Sequence, residues 1–120
     1  MTQKINLSEK LKKIENYWDP RIVGQLNGQH VKLARFKGTF DWHKHDQEDE
    51  MFLVLEGSFK LELQEKSLHL EAGEMVIVPR GAFHRPRAEQ EACVLLFEPV
   101  STRNTGDMRN ERTIDNPEDI

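Results

Sequence analysis

The chain has one cysteine, no long apolar run and no excess of basic residues, and each of these absences excludes a class of protein. With Cys93 alone among 120 residues, no internal disulfide can form, which excludes a disulfide-stapled secreted domain. No apolar run approaches the length of a membrane-spanning helix, and the first residues are polar and lysine-rich. We therefore expect a cytoplasmic protein with no membrane partner, in which Cys93 is a buried and inert thiol.

Basic residues do not outnumber acidic ones. Lysine and arginine together number 17 against 21 acidic residues, so the formal net charge is −4 and the sequence pI is about 5.7. A chain of this balance is not expected to bind nucleic acid or an anionic membrane surface.

The apolar pattern changes its period near residue 21. Before that point apolar residues recur at helical spacing behind a capping asparagine, which predicts a short amphipathic helix to about Tyr17. After it, an Asn27-Gly28 turn predicts a β-hairpin over residues 22–36, and further short alternating segments follow between turn residues. Many short strands at close intervals predict an all-β sandwich or barrel.

These patterns divide the chain into three parts. Residues 1–20 are expected to form the N-terminal helix and a turn, and residues 21–100 a β-barrel. Residues 101–120 are polar and mixed in charge, and we expect either an extended arm or a disordered tail there.

Three of the five histidines lie in two segments that bracket the middle of the predicted barrel, residues 38–50 and 73–84. Alternate side chains of an extended strand share a face, so His43 and His45 should point together. A carboxylate just downstream and His84 on a later strand would complete a set of ligands for a divalent metal.

Four acidic residues follow the histidine pair, and Glu50 is the favoured ligand among them. Glu50 falls in strand phase with Phe52 and Val54, whereas Asp49 has the opposite parity. Glu48 and Asp49 are then expected to be solvated charges at the rim.

These residues resemble the two conserved motifs of the cupin superfamily. The matching positions are Gly38, His43, His45, Glu50 and Gly57 in the first motif, and Gly73, Pro79, Gly81 and His84 in the second. The first-motif glycine is one residue closer than usual, and Ala88 stands where an asparagine often follows the last histidine. The likeness is to small stand-alone cupins, loosely described as mannose-6-phosphate-isomerase-like, a description that carries no activity.

The resemblance implies a small antiparallel jelly-roll β-barrel with a metal inside. It implies His43, His45, Glu50 and His84 as the ligands, which leaves one or two coordination positions open on Fe, Mn, Ni, Co or Zn. The alternative is a barrel of the same descent that no longer binds metal.

The sequence also offers candidate ligand contacts, namely Arg80, Arg85, Trp42 and Phe52. Together with Arg87, the arginines could hold a carboxylate or phosphate, or they are rim charges that pair with acidic neighbours. The aromatic residues are either pocket walls or ordinary core.

Three classes of function remain open at this level. The chain is a small metal-dependent dioxygenase, isomerase or lyase for a sugar-derived or carboxylate-bearing molecule, a non-catalytic ligand-binding or storage module, or a structural subunit. Catalytic residues cannot be assigned, because no spare histidine or tyrosine is placed beside the predicted metal. We further expect a homodimer that shares the edge of the hairpin over residues 22–36.

Overall fold

The structure is a computed structural model that describes residues 2–120. These residues form one helix and seven strands: α1 (Leu7–Leu11), β1 (Arg21–Leu26), β2 (Gln29–Thr39), β3 (Glu50–Glu56), β4 (Ser58–Leu63), β5 (Ser67–Glu71), β6 (Met75–Val78) and β7 (His84–Pro99). The strands hydrogen-bond in the order β1-β2-β7-β3-β6, and β4 pairs with both β5 and β7. All strand pairs are antiparallel, so the predicted all-β fold is confirmed.

Strand β7 holds the barrel together because it pairs with three other strands. Its first residues pair with β4, its last residues pair with β3, and β2 runs beside it over most of its length. A sheet joined in this way must curl, and alternate residues then point into a shared core. The buried core residues are Ala34, Phe36, Phe52, Val54, Phe59, Leu61, Leu70, Val78, Ala88, Ala92, Val94 and Leu96.

Helix α1 is present but shorter than the sequence pattern predicted. Its N-cap is Asn6, whose side-chain oxygen accepts a hydrogen bond from the Glu9 amide at 3.0 Å. It ends at Leu11 rather than near residue 17, and the Arg35 guanidinium on β2 binds carbonyl groups at and just after that end. Arg35 donates to the carbonyl oxygens of Leu11 at 2.8 Å and Ile14 at 2.9 Å.

The outer face of the sheet has a second, smaller apolar cluster, in which Leu11 and Ile14 pack on Leu33 and Cys93. Cys93 is buried, as predicted, and burial raises the pKa of its thiol. This cluster anchors the segment before β1 on the barrel.

The segment after β7 folds back over the barrel. The Asp107 amide donates to the carbonyl oxygen of Lys44 at 3.2 Å, and Thr105 is fully buried. Farther along, the Ile22 amide donates to the carbonyl oxygen of Glu118 at 2.9 Å, so this segment also covers part of the β1 edge. The residues around His43 are therefore closed over by residues 102–107.

The one helix described within residues 2–120 lacks the length needed to cross a membrane.

Candidate metal centre

The backbone brings the two histidine segments together. His43 lies between β2 and β3, and His84 begins β7. Two backbone hydrogen bonds join them: the His43 amide donates to the carbonyl oxygen of His84 at 3.0 Å, and the His84 amide donates to the carbonyl oxygen of His43 at 2.9 Å. The Gly81 amide donates to the carbonyl oxygen of His45 at 2.8 Å, which aligns the turn before β7 with the same segment.

Hydrogen bonds fix the orientation of two imidazole rings. The Nδ1 of His43 lies 2.8 Å from the carbonyl oxygen of Asp41, and the Nδ1 of His84 lies 2.9 Å from that of Ala82. A carbonyl oxygen only accepts, so each Nδ1 carries the proton and each Nε2 keeps its lone pair. Both rings are thus held in the tautomer that metal-ligating histidines use.

Glu50 completes the group from the start of β3. Its Oε1 lies 3.3 Å from the Nε2 of His45 and 3.3 Å from the Nε2 of His84. The candidate ligand atoms of His43, His45, Glu50 and His84 all lie within 4.8 Å of one another, and the four residues are between 0% and 4% exposed. All four residues singled out in the sequence therefore converge on one buried point.

The polar atoms at this point fit a metal ion. Within residues 2–120, the Nε2 atoms of His45 and His84 and the Oε1 of Glu50 are buried without a hydrogen-bond partner. Buried polar atoms are normally paired, so a group of unpaired lone pairs aimed at a common centre calls for a cation. Three imidazole nitrogens and one carboxylate suit iron, manganese, nickel, cobalt or zinc and leave coordination positions free.

Burial and neighbouring charges shift the pKa values of the ligand residues in different directions. Burial, reinforced by neighbouring His84, lowers the pKa of His43 to about 4. Burial disfavours charge on Glu50, yet the close approach of Glu98, His45 and His84 outweighs it and holds the Glu50 pKa well below its usual range. Burial likewise disfavours charge on His45, but the adjacent carboxylate of Glu50 raises its pKa. A neutral His43 beside an ionised Glu50 is ready to bind a cation.

A small cavity of about 40 Å³ adjoins the centre on the side of His43 and Glu50. Most of its wall is aromatic or aliphatic, including the predicted contact Phe52. The main apolar wall residues are Trp18, Phe36, Phe40, Phe52, Pro86 and Leu96.

The other predicted contacts lie outside this cavity. The Arg85 guanidinium lies over the ring of Trp42, 4.9 Å from its centroid, and pairs with Glu62 at 2.8 Å. Arg80 is exposed and approaches Asp49 at 3.5 Å. Residues 85 and 87 alternate with the inward-facing His84 and Pro86 along β7, which explains why those arginines point outward.

Two charged residues inside the cavity had no place in the sequence prediction. Lys32 on β2 and Glu98 on β7 are each 2% exposed, and the Lys32 Nζ lies 2.7 Å from the Glu98 Oε2. Burial and the neighbouring carboxylate of Glu50 raise the pKa of Glu98 well above its usual range. The sequence could have indicated that Lys32 points inward, because it alternates with the apolar residues Ala34 and Phe36 and alternate residues of one strand share a face.

Comparison with known proteins places this geometry in a family. The family model described as the cupin domain matches residues 29–98. The uncharacterized protein YdbB of Bacillus subtilis is 37% identical over 77 residues, which are 63% of this chain and 68% of YdbB.

Solved structures agree. A cupin-2 domain containing protein of Shewanella frigidimarina is 35% identical with a TM-score of 0.78, covering 79% of this chain and 93% of its own. A protein of Neisseria meningitidis is 32% identical with a TM-score of 0.75, covering 81% and 99% respectively. Hydroquinone 1,2-dioxygenase from Sphingomonas, at 20% identity and a TM-score of 0.65, covers 75% of this chain and 70% of its own and shares the fold alone. The predicted single-domain jelly-roll barrel is confirmed.

Proposed function

Because the chain belongs to the cupin family, we propose that it is a small metal-dependent enzyme of the dioxygenase, isomerase or lyase type. Its substrate is a small oxygen-bearing molecule that enters the cavity beside His43 and Glu50. The observation that carries this proposal is the set of buried, unpaired nitrogen and oxygen atoms that faces a common centre within residues 2–120.

The four ligand residues are arranged to bind a cation without first rearranging. Two of the rings are locked by backbone carbonyl groups, and the His43–His84 backbone pair fixes the distance between the two segments. A site held in this way spends little free energy on ordering its ligands, which favours tight and specific binding.

The chemistry divides between the cation and the chain. A divalent ion bound by this set supplies a Lewis acid or, if it is redox-active, a centre for dioxygen chemistry. The chain's own contribution is to keep bulk water out, since the walls beside His43 and Glu50 are mainly aromatic and aliphatic. Charge interactions are stronger in such a mainly apolar cavity than in bulk water.

The test is elemental analysis of the purified chain without added metal, with His45→Ala beside it. We expect about one equivalent in the unchanged chain and much less in the variant, because His45→Ala removes one of the four ligand side chains. His69→Ala is the matched control, since His69 lies on β5 with an exposed side chain and should leave the metal content unchanged. A chain that holds no metal and takes none up on reconstitution contradicts the proposal.

The metal found then selects the assays that distinguish an enzyme from a binding module. Iron, nickel or copper directs the search to oxygen uptake with small oxygenated substrates, and zinc directs it to isomerase, lyase or hydrolase assays. If the loaded chain binds such molecules but converts none, the non-catalytic ligand-binding alternative replaces the enzyme.

A further inference from the structure

The pair formed by Lys32 and Glu98 is the polar end of a cavity that is otherwise mainly apolar. Both residues line the same cavity as His43 and Glu50. The Lys32 ammonium lies 2.7 Å from the Glu98 Oε2 and 3.5 Å from the carbonyl oxygen of Thr102. An ammonium has three hydrogens, and these two contacts, one of them long, leave it with donor capacity towards the cavity.

Stability alone does not account for this pair. Buried ion pairs contribute little net stability compared with apolar side chains of similar size, because both charges must be removed from water. The neighbouring inward positions of the same strands are apolar, with Ala34 and Phe36 on β2 and Leu96 on β7. We therefore take Lys32 as a candidate contact for a charged ligand.

The sum of charges around the cavity identifies the charge of that ligand. A divalent ion and Lys32 contribute three positive charges, while Glu50 contributes one negative charge and Glu98 one or none. The loaded cavity is net positive whether or not Glu98 is ionised, so it attracts an anion. Without the ion the same residues sum to zero or to one negative charge, and an anion gains nothing.

The size of the cavity limits the ligand further. A volume of about 40 Å³ corresponds to roughly three water molecules at about 10–15 Å³ each. Without movement of the walls, only a molecule of a few heavy atoms fits.

We propose that Lys32 recognises a small monoanion with two oxygen-bearing groups, one on the metal ion and one on the Lys32 ammonium, while Glu98 positions Lys32. The inference rests on the proposed function, since it requires a bound metal. It differs from recognition by Arg80 or Arg85, because those arginines lie outside the cavity and are paired with Asp49 and Glu62.

The test uses the whole chain loaded with Co(II), whose visible spectrum reports its ligands, and glycolate as the probe. Calorimetry and the cobalt spectrum measure glycolate binding, and elemental analysis measures cobalt. We expect binding of glycolate, no binding of neutral ethylene glycol, weaker binding of bulky mandelate, and no glycolate binding by the metal-free chain.

The variants separate Lys32 from the metal. Lys32→Met should keep one equivalent of cobalt and weaken glycolate binding about 10- to 100-fold, the usual effect of one hydrogen bond to a charged group. Lys60→Met is the matched control, since Lys60 is an exposed lysine on β4 that does not line this cavity, and it should bind glycolate as tightly as the unchanged chain. If Lys32→Met does not fold, the double variant Lys32→Met/Glu98→Leu removes both charges and should show the same loss.

The outcomes distinguish the two proposals. A chain that takes up no cobalt overturns the proposed function and this inference with it. A cobalt-loaded chain that ignores glycolate, or a Lys32→Met variant that binds it as tightly as the unchanged chain does, overturns the inference and leaves the metal centre standing.

Discussion

Replacement of Gly106 by alanine is expected to detach the segment that closes over the metal centre. Gly106 lies after β7 with a φ of 64°, and its amide is part of a turn with Arg103. A Cβ at this position would lie 2.1 Å from the carbonyl oxygen of Lys44 and 3.3 Å from the Cδ2 of His43. Since the first distance is far inside van der Waals contact and involves backbone, the segment must move.

The size of the effect follows from three contributions. An alanine in the left-handed region costs about 1–2 kcal/mol. Loss of the hydrogen bond between the Asp107 amide and Lys44 costs about 1 kcal/mol. The clash with Lys44 adds a further cost. The total destabilisation cannot exceed the free energy that holds residues 102–107 on the barrel, because the segment can detach and so avoid the clash. We therefore expect Gly106→Ala to lower the free energy of unfolding by about 2–3 kcal/mol.

Gly28→Ala provides the matched control. Gly28 also has a positive φ, of 73°, but among the described residues no atom lies within 4 Å of its Cβ position. It should therefore show backbone strain alone, about 1–2 kcal/mol. Urea denaturation measures both variants, and hydrogen exchange of the amides in residues 102–107 reports release of the segment. Equal destabilisation by the two substitutions, with unchanged exchange in residues 102–107, would refute the reasoning.

Three further expectations concern the histidines and the end of the helix. His43 has a pKa of about 4 in the folded metal-free chain, against about 6.5 in the unfolded chain, so the unfolded chain takes up a proton first as the pH falls. The free energy of unfolding is therefore unaffected above about pH 6.5 and falls by about 2–3 kcal/mol towards about pH 4.5. His43→Gln should lose that part of the pH dependence in urea denaturation. Arg35→Met leaves the Leu11 and Ile14 carbonyl groups without this donor and should lower the free energy of unfolding by about 1–3 kcal/mol, measured in the same way. Metal at 100 times its dissociation constant should stabilise the chain by about 2.7 kcal/mol, seen as a rise in Tm that a chelator reverses and that His45→Ala lacks.

Each of these has an opposing result. An unchanged pH dependence in His43→Gln means that His43 does not stay neutral in the fold. A neutral effect of Arg35→Met means that water satisfies those carbonyl groups equally well. A chelator-sensitive rise in Tm that persists in His45→Ala places the stabilising metal elsewhere.

The sequence by itself determined the elements that depend on neighbouring residues. The alternation of His43 with His45, and of Glu50 with Phe52, follows from the two-residue period of extended chain. The turn glycines and the change of period near residue 21 likewise marked the barrel strands. The resemblance to the cupin motifs then linked His84 to the same site, although it lies on a distant strand.

The tertiary structure decided everything that depends on which strands become neighbours. Lys32 and Glu98 are 66 residues apart, and they meet because β2 and β7 pair in one register. The Leu11 carbonyl at the end of α1 accepts a hydrogen bond from Arg35, which lies 24 residues further along the chain. Local periodicity can be read from the sequence of a single strand. The partner of a buried charge depends on how that strand pairs with a distant one, and the sequence pattern of one strand does not specify this register.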